Sequence, residues 1–82
     1  MKYITFAYRP DNTELLGSNS CFGDYANDRN AIRYLSNYAV NKLNDTLHGK
    51  IAEIRLYRYT NFYDDSTFKL VHTWHNTKVK SL

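Results

Sequence analysis

Eighty-two residues are enough for one domain, which buries about 60–65% of its unfolded surface and so builds a thin core. Hydrophobic content of 43%, with 16% aromatic, excludes a disordered chain and supplies large burial per side chain. The net charge of +3 is small for a strong DNA binder and of the wrong sign for a DNA mimic.

The chain opens with Lys2-Tyr-Ile-Thr-Phe-Ala-Tyr8, which alternates with period two and is rich in β-branched and aromatic residues. It reads as a strand, with Ile4, Phe6 and Tyr8 on the core face and Tyr3, Thr5 and Ala7 on the other. Its apolar run is interrupted at Thr5 and ends at Arg9, too short for a secretory leader. Pro10 is placed for the second position of a turn, followed by Asp11 and Asn12. Thr13-Glu-Leu-Leu16 suits a short return strand, and Gly17–Ser20 a loop.

From Asp24 to Leu47 the period changes. Ile32, Leu35, Ala39, Val40 and Leu43 recur at spacings of three and four, which predicts one long amphipathic helix. Asp24 or Asn27 can cap it, Asp28 suits the first turn, and His48-Gly49 closes it. Two strands follow. In the first, Ala52, Ile54 and Leu56 face the helix while Glu53, Arg55, Tyr57 and Tyr59 face away; in the second, Phe68, Leu70, His72 and Trp74 alternate with Lys69, Val71 and Thr73. Equal parity across this hairpin requires an odd loop, and five residues, Phe62 to Ser66, satisfy it unless a bulge intervenes. The segment 77–82 is expected to fray.

The expected fold is therefore α+β: one domain over 1–82 in the order β-α-β-β, with room for an extra short strand after the first. Its three-stranded, mainly antiparallel sheet carries the helix on one face. An order with the last strand between the other two makes every neighbouring pair antiparallel and is preferred to the alternative in which the three strands lie side by side in chain order.

Catalytic and metal readings find little. Positions three apart on a strand face opposite sides, so His72 and His75 cannot chelate one ion, and His48 belongs to the helix end. Asp64 and Asp65 read as turn formers, not as a catalytic pair. Cys21 lies in a loop with no base assigned to it, and as the single cysteine it can form no internal disulfide. No stretch approaches the roughly 20 apolar residues of a membrane span. The expectation is a cytoplasmic, non-enzymatic protein without cofactor or metal.

What remains is the face turned away from the helix. Tyr3, Arg55, Tyr57, Tyr59 and Lys69 are its candidate binding residues. Tyrosine and arginine are enriched at protein interfaces, which suggests a foreign protein or a second copy as partner. The same residues could stack bases and hold phosphates of single-stranded nucleic acid. They could also form a merely solvated face of cross-strand pairs. If the face is free, replacing Tyr57 and Tyr59 by alanine leaves thermal stability unchanged. Nine asparagines and eight tyrosines, both with AT-rich codons, hint at a phage or mobile-element accessory. Such a protein would inhibit a host polymerase, nuclease or defence complex by steric occlusion.

Overall fold

The computed structural model describes residues 1–15, 21–44 and 51–76. The expected loop at Gly17–Ser20, the helix closure at His48-Gly49 and the tail 77–82 lie outside the described residues. The elements are β1 (Lys2–Tyr8), β2 (Glu14–Leu15), β3 (Cys21–Asp24), α1 (Asp28–Leu43), β4 (Glu53–Tyr59) and β5 (Lys69–His75). The α+β class expected from the sequence is present: one helix packs against an antiparallel sheet.

The strand order differs from the preferred one. β1 is central, with β4 along one edge, β2 and β3 sharing the other, and β5 outside β4. The physical reason is the return strand. β2 and β3 together reverse the chain before the helix begins. The helical crossover then joins β3 to β4, which run parallel to each other with β1 between them. β4 therefore meets β1 antiparallel, and β5 is left at the edge.

The turn after β1 is built as its residues dictate. Asn12 N–H donates to the Arg9 carbonyl at 2.9 Å, closing a four-residue turn with Pro10 in second place. Asn12 then adopts φ 70°, a left-handed conformation that asparagine tolerates. Asp11 Oδ1 accepts from both the Thr13 backbone N–H (3.0 Å) and the Thr13 hydroxyl (2.6 Å).

The helix is shorter than the periodicity suggests, because Asp24 is spent on β3, opposite Lys2. Asn27 is the cap: its Oδ1 accepts from Asn30 N–H at 2.8 Å. The buried line is Ala31, Leu35 and Ala39, with Ile32 and Leu43 half-buried beside it and Val40 half exposed. The apolar stripe is thus rotated toward the alanines. Their small side chains leave room on this side for the large Tyr3 and Trp74, which pack against the same clusters.

The largest correction concerns β1. Its register with β4 sets Tyr3, Thr5 and Ala7 opposite Arg58, Leu56 and Ile54, on the helix side. All three are fully buried. Ile4, Phe6 and Tyr8 face away, yet Ile4 is buried as well. A central strand covered on both faces loses the polar-apolar alternation that would identify its core side.

The β4–β5 hairpin combines two parities. Ile54 pairs with Trp74 and Leu56 with His72, as expected; a bulge then shifts the register so that Tyr57 pairs with Leu70 and Arg58 with Lys69. The connection, residues 60–68, is longer than the five residues expected and contains a 3-10 turn at Asp65–Thr67. Asp64 caps that turn, accepting from Ser66 N–H (3.0 Å) and the Ser66 hydroxyl (2.7 Å). Tyr63 N–H donates to Asn61 Oδ1 at 3.0 Å, and the Thr67 hydroxyl reaches the Asp64 carbonyl at 2.8 Å. The loop therefore satisfies much of its own backbone.

Candidate partner-binding face

On the side of the sheet away from α1, four strands contribute to one row: Phe22 of β3, Ile4 of β1, Tyr57 of β4 and Leu70 of β5 stand in register. The neighbouring row holds Phe6, Arg55 and Thr73. Beyond it lie Glu14, Tyr8, Glu53 and His75. On the other flank Tyr59 pairs with Lys2.

The hairpin loop folds back over these rows. The Phe68 ring stacks on Tyr59 (centroids 5.1 Å, interplanar angle 13°) and lies 6.4 Å from Phe6 and 6.2 Å from Tyr57. Phe6 meets Tyr57 edge-on at 5.8 Å. Phe62 continues the cluster outward to Tyr59 (5.9 Å), Phe22 (5.6 Å) and Tyr63 (5.6 Å). Tilted and edge-on rings at these separations are the favoured aromatic geometries. The face is a second small core with an exposed crest, and Tyr57 and Tyr59 are half-buried in it. Their double alanine variant should therefore lose stability, contrary to the expectation for a free face.

Arg55 is on this face but is already engaged. Its Nε donates to Glu53 Oε1 at 2.7 Å, one Nη donates to Asn12 Oδ1 at 2.6 Å and also bonds Glu53, and Cζ sits 3.8 Å above the Tyr8 ring. His75 Nδ1 lies 3.6 Å from the other Glu53 oxygen. Beside this clamp, Phe6, Tyr8, Tyr57, Phe62 and Phe68 wall an open groove of about 410 Å³, with Glu14 and Asp65 completing its lining.

The helix side carries a different cluster. The Tyr3 hydroxyl donates to Asp28 Oδ1 at 2.6 Å, and Arg58 donates to both Asp28 oxygens at 2.9 Å. Strands β1 and β4 are thereby pinned to the first turn of α1. Burial, and then the Asp28 carboxylate, push the Tyr3 phenol up to about 12. Burial, followed by its hydrogen bond with Tyr57, also raises Tyr8, and burial raises Tyr38. For each, the folded chain keeps its proton where the unfolded chain, near the ordinary 10.0, has lost it. The stability each contributes is complete below the ordinary value and falls as pH rises through its raised one, which for Tyr3 is about 12. Absorbance near 295 nm should show late-titrating phenols, and Tyr3→Phe should remove amplitude from the late part alone. Uniform ionisation of all tyrosines around pH 10 would contradict this.

Of the sequence-predicted residues, Arg55, Tyr57 and Tyr59 share the outer face. Tyr3 does not: it is buried under α1 and has no surface to offer a partner. Lys69 pairs with Arg58, which places it on the helix side of the sheet end, because the bulge reverses parity after Leu56. The missed residues are Phe22, Phe62, Tyr63 and Leu70, all large, apolar and exposed. A signal for two of them existed, since aromatic side chains in the turn-rich Asn61–Ser66 have no strand face to bury.

Among the described residues the chemistry-bearing side chains do not converge. His72 packs edge-on to Trp74 at 4.7 Å, on the side opposite His75, and His48 lies outside the described residues. Among the described residues no three His, Cys, Asp or Glu side chains group as a metal site. Burial raises the Cys21 thiol, away from the thiolate a nucleophile needs. Among the described residues no helix is long and apolar enough to cross a membrane. The chain matches no family model, no curated protein and no solved structure, so the functional reading rests on this geometry.

Proposed function

We propose that the chain is a small protein-binding module that docks through the crest of its outer face. The observation that carries this is the exposure of Phe22 (59%) and Tyr63 (94%) beside Phe62, with Leu70 (56%) exposed on the same side of the sheet at the β5 end of the row. Apolar surface gathered in this way marks interaction sites, and aromatic side chains dominate interface energetics. The internally bonded loop presents Phe62 and Tyr63 in a fixed arrangement, which lowers the ordering cost of association.

The nucleic-acid alternative is less well supported. Arg55 is neutralised by Glu53, Arg58 by Asp28, and Lys69 stands on the other side. Asp65 and Glu14 line the groove where phosphate would approach. On the outer face of the described sheet this leaves Lys2, opposite Tyr59, as the cation without an ion pair, so little counterion release is available there to drive binding. Steric occlusion is the mode we assign to the module. A host polymerase, nuclease or defence complex as target, with this chain as a phage or mobile-element accessory, is the narrower version. Its support is the asparagine- and tyrosine-rich composition.

The test uses Phe22→Thr, Tyr63→Ser and Leu70→Thr together, which keeps strand-forming residues in the strands. The variant should stay folded, with a thermal midpoint within a few degrees of wild type. It should lose either self-association, read by sedimentation, or a protein captured from extracts of the source cells. Unchanged mass together with an unchanged captured set would overturn the reading.

A further inference from the structure

Resting on that protein-binding reading, we propose that the groove walled by Phe6, Tyr8, Tyr57, Phe62 and Phe68 receives a basic side chain, lysine or arginine, of the partner. Its volume of about 410 Å³ suits one long side chain with its flanking backbone. Aromatic faces attract cations through their quadrupole, and five rings converge here. The chain itself demonstrates the preference: Arg55 lies 3.8 Å above the Tyr8 ring. Arg55 is nevertheless tied to Glu53 and Asn12 and is not part of the groove lining.

Charge complementarity selects the occupant. Glu14, in register with Tyr8, and Asp65, at the start of the 3-10 turn, complete the lining. Neither has a cationic side chain paired to it among the described residues. An apolar side chain docking here would strip water from two carboxylates and return no hydrogen bond. An anionic group would be repelled. A lysine ammonium or an arginine guanidinium gives the carboxylates of the lining a partner of opposite charge, while its methylene stem covers the rings.

The test is an NMR titration of the full chain with Nα-acetyl-lysine methylamide and Nα-acetyl-arginine methylamide. The neutral comparison is Nα-acetyl-norleucine methylamide. At millimolar concentrations the cationic probes should move the ring resonances of Phe68 and Tyr57 in a saturable way. They should bind about five- to tenfold more tightly than the norleucine probe. The double variant Glu14→Gln, Asp65→Asn should remove most of that advantage while leaving norleucine unaffected and the amide spectrum elsewhere intact. Equal affinity for norleucine, an unchanged lysine affinity in the double variant, or no movement of the rings would each overturn the proposal. These failures are distinct from failure of the docking reading: a crest-dependent partner or self-association would survive them.

Discussion

The Tyr3→Ala chain is expected to unfold some 15–30 °C below wild type. Tyr3 has no exposed surface, packs with Ala31, Leu35 and Leu56, and lies 6.0 Å from the Tyr25 ring. Truncating a buried aromatic side chain costs about 3–5 kcal/mol through lost transfer energy and the cavity left behind. A chain of 82 residues has roughly 4–12 kcal/mol in total, so the loss is a large fraction of it. Tyr3→Phe separates the two contributions. It keeps the ring and removes the hydroxyl's 2.6 Å bond to Asp28, with its weaker 3.4 Å contact to the Met1 sulfur, at a cost of about 1–3 kcal/mol. Circular dichroism melts of the three proteins decide the matter. A Tyr3→Ala midpoint within about 5 °C of wild type would return Tyr3 to the outer face, as the strand alternation first suggested.

Phe68→Ala should cost about 1.5–3 kcal/mol, which lowers the midpoint by roughly 6–15 °C. The ring is half-buried and joins Phe6, Tyr57, Tyr59 and Phe62, so it holds the hairpin loop against the sheet. Tyr63→Ala, in the same loop but almost fully exposed, should stay within about 0.5 kcal/mol of wild type. Hydrogen exchange offers a second readout: amides of β4 under the cluster should lose protection in Phe68→Ala and keep it in Tyr63→Ala. Equal effects of the two substitutions would mean that the loop's internal hydrogen bonds, and not its aromatic packing, set its position.

Much of the fold was legible in residue patterns, for reasons that differ by element. β4 alternates Ile54 and Leu56 against Arg55 and Tyr57, and a strand with one apolar and one polar-tipped face announces its orientation. Asn27 marks the helix start because its oxygen accepts from a free backbone N–H, and Asp28 because a carboxylate in the first turn suits the helix dipole, both local requirements independent of the rest of the chain. Pro10 marks the turn for an equally local reason. The faces of β1 are exchanged relative to the alternation reading because both are covered: Tyr3 and Ile4, on opposite sides, are both buried, so alternation carries no mark of the core side.

For the candidate site, Arg55, Tyr57 and Tyr59 followed from local parity, whereas Lys69 depended on a bulge in the pairing of β4 with β5. Nothing in the alternation of Lys69 to His75 announces that shift; it appears only when β5 is laid against β4. The crest residues required one further step, the folding of the loop onto the sheet, which brings Phe62 beside Phe22 from forty positions away.

By itself, then, the sequence determined the α+β class, the first turn and the two faces of β4, and narrowed the helix cap to Asp24 or Asn27, because short-range periodicity and backbone hydrogen bonding suffice for these. The tertiary structure decided which face of β1 meets the helix, where β4 sits in the sheet, and that the outer tyrosines are half covered by Phe68. Those outcomes depend on strand register and on a loop folding back over distant residues. Both are long-range pairings whose energy is realised only when separate segments meet.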